Sequence, residues 1–273
     1  MTQSRLPPIH SLIGHCDILM ITLDTLRFDV ADAALRAGRT PFLRQILPDG
    51  RWEQRHTPGS FTYAAHHAFF AGFLPTPATP GPHARLFAAE FPGSETTSSD
   101  TFVFQEPDLV TALAHRAYRT ICIGGVGFFN QRSALGRVLP NLFHEAYWTE
   151  QLGVTCREST QYQVSAAISA IDGRPTAERV FLFLNVSALH QPNCMYVEGA
   201  HHDSPQTQSA ALSYVDSKLS RLFHHLQLRA PLLCIICSDH GTAYGEDGFT
   251  GHRLSHPVVW TVPYAEMLLP KTG

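Results

Sequence analysis

Long hydrophobic runs are missing from this chain. No apolar stretch approaches the roughly 18–20 residues that a membrane span needs. The first apolar run, Ile18 to Leu23, lies between Asp17 and Asp24, and reads as a buried strand rather than a signal-peptide core. Charge is scarce too: charged residues make up 16% of the 273 positions and the formal net charge is −3. So weak a field excludes general attraction to nucleic acid or to an anionic membrane. It leaves room for a small anionic substrate, whose binding is set locally. The 19 glycines and 19 prolines follow no period, which excludes a collagen-like or low-complexity chain. An apolar content of 44% excludes intrinsic disorder. Six cysteines (Cys16, Cys122, Cys156, Cys194, Cys234, Cys237) are scattered, four of them in or beside apolar runs. Reduced, buried thiols and a cytosolic compartment are therefore expected, not a disulfide framework.

What the chain does have is histidine, 16 residues against 20 lysines and arginines together, an excess that points towards metal or proton chemistry. Four aliphatic runs stand out: Asp17–Leu23, Arg119–Gly124, Val180–Val186 and Leu232–Cys237. None alternates polar with apolar, so each is predicted to be a strand buried on both faces, as in a parallel sheet. Between them, Thr40–Leu47, Leu109–Tyr118 and Ser209–Leu226 carry apolar residues at helical spacing. Strand and helix in alternation predict an α/β fold, a doubly wound and mostly parallel sheet with helices on both faces. Residues 1–273 read as a single domain. Residues 74–100, rich in Pro, Gly, Ser and Thr, read as a long loop excursion on its surface.

In such a sheet, ligands bind beyond the carboxyl ends of the strands. The first run ends in Asp24, the third continues to His190, and the fourth continues to Asp239 and His240. Any one of these alone reads as a turn or cap residue; together they suggest a site. A carboxylate beside an imidazole suits Zn²⁺ or Mn²⁺ better than Ca²⁺, and Gly241 would let the chain turn sharply after them. His252 follows in a loop holding Gly245, Gly248 and Gly251, which also reads as a flexible surface loop. Thr62 opens an alanine-rich helical segment that stops near Gly72. It is either a plain N-cap or a hydroxyl at a positive helix end, where a phosphate would settle and a metal would make it a nucleophile. His66 lies one turn further on, as a candidate substrate contact. Other features read as structural. The thiols of Cys234 and Cys237 sit in an apolar strand, Gly124–Gly127 is not a dinucleotide loop, and Arg27 and Asp29 form a supporting pair. His201-His202 and His224-His225 read as surface pairs.

In order, six segments resemble the alkaline phosphatase superfamily, in its sulfatase-like branch: residues 18–30 (ILMITLDTLRFDV), 40–75, 118–125 (YRTICIGG), 181–193 (FLFLNVSALHQPN), 214–216 (YVD) and 238–252 (SDHGTAYGEDGFTGH). The resemblance implies that Asp24, Asp239 and His240 bind one metal, with Thr62 as the nucleophile touching it. His252 falls at the spacing seen in the lipid-A phosphoethanolamine transferases, as a metal-site and catalytic residue. His190 matches a histidine that contacts the transferred group or a second ion.

Departures from the family pattern narrow the chemistry. Sulfatases need Cys or Ser where this chain has Thr62, and commonly carry Asn where it has His240, Lys at Gly125 and Arg at His66. Thr62 and His240 match the phosphodiesterases and phosphoethanolamine transferases instead. Ala188 stands where many members place a carboxylate, and Thr25 replaces a second Asp, so one metal site is expected; a second would need a carboxylate such as Asp203 or Glu246. The resemblance implies a metal-dependent phosphoester or phosphodiester hydrolase, or a phospho-group transferase. A sulfate-ester hydrolase and a non-catalytic metal-binding partner in a biosynthetic complex are the alternatives.

Overall fold

A strand that is apolar on both sides of its pleat must be covered on both faces, and this requirement organises the molecule. The computed structural model describes residues 6–92 and 97–272. The first half runs α1 (Ile9–Leu12), β1 (Asp17–Leu23), α2 (Phe28–Arg36), α3 (Pro41–Ile46), β2 (Glu53–His56), α4 (Thr62–Phe70), β3 (Thr76–Pro77), β4 (Phe87–Ala89), β5 (Phe102–Phe104), α5 (Leu109–His115) and β6 (Tyr118–Ile123). There follow α6 (Ala134–Val138), β7 (Glu145–Tyr147), α7 (Ser159–Ile171), β8 (Arg179–Val186), α8 (Pro205–Arg229), β9 (Leu232–Cys237), β10 (Ala243–Tyr244), β11 (Thr250–Gly251), α9 (Pro257–Trp260) and β12 (Thr261–Leu269).

Eight strands form one sheet in the order β3-β2-β12-β9-β1-β8-β6-β7. Strands β9, β1, β8, β6 and β7 are parallel neighbours; β12, β2 and β3 extend the β9 side antiparallel. Alternate residues of the central strands feed two separate cores. Leu19, Ile21, Leu182 and Leu184 pack under α2, α3, α7 and α8. Ile18, Met20, Phe181 and Phe183 pack under α1, α4 and α5. The expected mostly parallel α/β sheet with helices on both faces is what the chain forms.

The sheet is wider than the four predicted strands. The antiparallel edge escapes the apolar-run criterion because β12 carries Pro263 and Glu266. Its register with β9 begins only at Tyr264, so proline stays outside that pairing. The excursion at 74–100 is also tied down in part: β3 joins the sheet, and β4 pairs with β5, burying Phe87 and Ala88.

Candidate active site

Three parallel strands deliver the site residues, as the strand-end rule requires. Leu23 of β1 is followed by Asp24, Cys237 of β9 by Ser238, Asp239 and His240, and Val186 of β8 by the turn that reaches His190. Asp24, Asp239 and His240 are fully buried, and one ligand atom from each lies within 4.8 Å of the other two. No other group of this kind occurs among the described residues.

Each donor is held by one side, and the two carboxylates are left free on the other. Asp24 Oδ2 accepts from Asn185 Nδ2 at 2.9 Å, whereas Oδ1 is buried without a partner. Asp239 Oδ1 accepts from the backbone N–H groups of Thr25 and His240, both at 3.1 Å, whereas Oδ2 has no hydrogen bond. Thr25 adopts φ +61 to aim its N–H there. His240 Nδ1 donates to the Gly241 carbonyl at 2.8 Å, which leaves Nε2 as a lone-pair acceptor. Nε2 lies 3.4 Å from Asp239 Oδ2. That is about the edge of a tetrahedron built on 2.0–2.1 Å metal bonds.

Electrostatics agree with this geometry. Burial, reinforced by the neighbouring Asp239, pushes the Asp24 carboxyl up to about 7. Burial pushes Asp239 up to about 7 as well. Two carboxylates dry enough to resist ionisation, each with an orphaned oxygen, form a pocket that a cation completes. The O, O, N donor set fits a divalent cation.

Thr62 is the first residue of α4, with Phe61 in the cap position and no side-chain cap bond. Its hydroxyl is therefore not spent on capping, contrary to the N-cap alternative. It lies 3.3 Å from His240 Nε2, at the positive end of a nine-residue helix. His252 stands with its ring 4.5 Å from that of His240 and 5.7 Å from that of His190. Its nitrogens fall outside the three-residue donor group, so the expected fourth ligand is a neighbour of that group. Burial, with His240 and His190 close by, pushes its pKa down to about 3, and Nδ1 has no partner. His190 Nδ1 donates to the Gln191 carbonyl at 2.6 Å, freeing Nε2. Thr62, His190, His252 and Arg253 line a cavity of about 420 Å³ whose other wall is Val126, Phe128, Leu135 and Val154.

Three expectations need correction. His66 is not at the surface of this cavity: it is fully buried, with Nδ1 on the Thr62 carbonyl at 2.7 Å and Nε2 on Thr22 Oγ1 at 3.0 Å, so neither nitrogen is free for a substrate. The carboxylates considered for a second ion are committed elsewhere. Asp203 accepts from the N–H groups of Asn193 and Cys194, and Glu246 pairs with Arg27 and accepts from Tyr244 N–H. Gly241 does not need a positive φ; it is glycine because the Val258 carbonyl leaves no room for a Cβ.

Thr22, Asn185 and Arg253 were not singled out from sequence. A signal existed for the first two: each is the polar residue inside an otherwise apolar, doubly covered strand, where it must find a partner. Arg253 gave none beyond its place after His252.

No protein-family profile matches the chain, and no curated protein does. Solved structures do. The C-terminal periplasmic domain of the phosphoethanolamine transferase EptC from Campylobacter jejuni aligns with a TM-score of 0.61 at 12% identity, over 93% of this chain and 79% of that one. The zinc complex of the EptC periplasmic domain from Escherichia coli aligns at 0.61 and 11% identity, over 99% and 75%. An alkaline phosphatase superfamily protein from Vibrio parahaemolyticus aligns at 0.53 and 14% identity, over 93% and 60%. The fold is that of the alkaline phosphatase superfamily. Within this alkaline phosphatase-like frame, no helix among the described residues is long and apolar enough to cross a membrane.

Proposed function

We propose that the chain is a metal-dependent phosphoester or phosphodiester hydrolase, or a phospho-group transferase, with Thr62 as nucleophile. Asp24, Asp239 and His240 hold the divalent cation, zinc or manganese, and the substrate is a small anionic phosphoester. One observation carries this reading: an uncapped threonine hydroxyl at a helix N-terminus, 3.3 Å from His240 Nε2, beside two buried carboxylates that each keep an oxygen unpaired. The bound cation would supply Lewis acidity to the phosphoryl oxygen and lower the hydroxyl's pKa.

The remaining steps belong to the chain. Thr62 Oγ1 forms a bond to phosphorus as the bond to the leaving oxygen breaks, giving a phospho-threonine that water or an acceptor alcohol or amine resolves. The α4 N-terminus favours the charge on the non-bridging oxygens. His252, held neutral, donates a hydrogen bond to one of them, and Arg253 on the same cavity wall adds fixed positive charge. His190, with Nδ1 occupied, takes the Thr62 hydroxyl proton on Nε2 and passes it to the leaving oxygen, a role typically worth about 10²–10⁴-fold. Six unpaired cysteines support the cytosol as the compartment.

The test is turnover of aryl phosphate, bis-aryl phosphate, phosphoethanolamine ester and aryl sulfate by zinc- and manganese-reconstituted protein. Phosphoesters are turned over in preference to sulfate, and Thr62→Ala loses about 10³-fold or more. Full activity in Thr62→Ala would remove the nucleophile.

A further inference from the structure

Beneath the site lies a buried row of hydrogen bonds whose direction can be worked out from end to end. Asn185 Oδ1 accepts from the Val126 N–H at 3.0 Å, which fixes the orientation of its amide. Asn185 Nδ2 therefore carries two protons, one donated to Asp24 Oδ2 at 2.9 Å and the other to Thr22 Oγ1 at 3.2 Å. At the opposite end, the Thr62 carbonyl only accepts, so the His66 nitrogen at 2.7 Å, Nδ1, bears the proton. A neutral imidazole protonated at Nδ1 accepts at Nε2. Thr22 Oγ1, 3.0 Å from Nε2, then spends its single proton there and receives Asn185 on a lone pair. Every donor meets an acceptor, and no step requires a charge.

We infer that His66 is a positioning residue: through Thr22 and Asn185 it ties the nucleophile-bearing end of α4 to the Asp24 carboxylate, so that hydroxyl and metal ligand are set in one frame. The inference rests on the metal site and nucleophile proposed above and extends them to residues that touch neither substrate nor ion. Packing alone does not account for an imidazole here. The ring is enclosed by Phe69, Phe70, Phe129 and Phe183, with centroids 5.1–6.2 Å away. A phenyl ring would fill that box without two nitrogens to satisfy. What the imidazole adds is the two-ended hydrogen bond. Engaging Asp24 Oδ2 also leaves Oδ1 as the oxygen offered to the ion, the manner in which outer hydrogen bonds orient metal ligands.

Three variants separate the two ends. His66→Phe removes both bonds but fits the aromatic box. His66→Asn reproduces the Nδ1 donor and reaches only Thr62. His66→Gln places its amide at the Nε2 position and restores the link to Thr22. Zinc affinity, measured by competition with a chromophoric chelator, is expected to fall about 10–100-fold in His66→Phe and His66→Asn and to recover to within a few-fold in His66→Gln. Nitrogen-15 chemical shifts of the metal-free wild type are expected to report the Nδ1–H tautomer of His66 at pH 7. In the zinc-loaded enzyme, His66→Phe lowers kcat with little change in KM, because the hydroxyl is displaced while the substrate cavity stands. The inference is overturned by an Nε2–H tautomer, or by equal zinc affinity in folded His66→Asn, His66→Gln and wild type. Should His66→Phe fail to fold, the Asn and Gln pair still decides. Should the wild type bind zinc but turn over no phosphoester, the proposed function fails while the tautomer and the affinities continue to judge this one.

Discussion

At Gly241 the backbone N–H donates to the Val259 carbonyl at 2.7 Å, and an ideal Cβ would stand 1.9 Å from the Val258 carbonyl oxygen. The obstruction is backbone, which cannot swing aside as a side chain can. Gly241→Ala must therefore move either α9 or the His240 segment, whose Nδ1 donates to the Gly241 carbonyl. The expected cost is about 1–3 kcal/mol, the usual penalty of overpacking, read as a lower urea midpoint, with weakened zinc affinity alongside. Individual residues were unevenly legible in the sequence. Asp24, Asp239 and His240 were readable because strand ends are where ligands gather. The position of His66 was not, because one helical turn from Thr62 fits both a residue facing the cavity and one facing the sheet. Only the packing of α4 onto β1 and β8 decides which. Thr22 and Asn185 were legible as anomalies in apolar runs, but their mutual contact depends on the pairing of β1 with β8, which no local pattern specifies.

Two elements show how polar residues remote from the site hold its scaffold. Helix α3 has no cap bond of its own; instead Asp216 of α8 reaches across, its Oδ1 accepting from Leu43 N–H at 2.7 Å and its Oδ2 from Phe42 N–H at 3.2 Å. Burial raises the Asp216 pKa, and the two N–H bonds only partly offset it. The folded chain thus keeps this proton at pH values where the unfolded chain, titrating near 3.9, has released it. Stability contributed by Asp216 is full below that value and declines as pH rises through the raised folded one. Asp216→Asn cannot titrate, so the difference in urea midpoint between the two proteins should shrink as pH climbs above about 4. A difference that grows with pH would show the opposite sign. At the start of α8, Ser204 and Thr207 form a reciprocal capping box. Ser204→Ala is expected to cost about 1 kcal/mol by chemical denaturation, with zinc affinity unchanged. Helices such as α8 were legible from their long apolar periodicity. The cross-helix cap on α3 was not, since a carboxylate more than 170 positions away supplies it.

For the whole molecule, four of the five parallel strands were written in apolar runs, whereas β7 and the antiparallel edge were not: β2 reads EQRH and is mostly exposed, so it forms only because its neighbours offer it a ladder. The sheet brings two buried carboxylates together with no cationic side chain hydrogen-bonded to their free oxygens, a cost the metal-free fold must carry or shed by protonation. A divalent cation that binds the folded chain and not the unfolded one relieves this and shifts the folding equilibrium by mass action. At one hundred times its dissociation constant, the gain is about 2.7 kcal/mol. For a chain of this size that corresponds to a rise in Tm of roughly 5–10 °C. The rise should grow with the logarithm of free zinc and reverse with a chelator. Asp239→Asn should abolish it, because the amide keeps the shape of the side chain but not its charge. A wild-type Tm indifferent to zinc and to manganese would mean that Asp24, Asp239 and His240 meet for some purpose other than holding an ion.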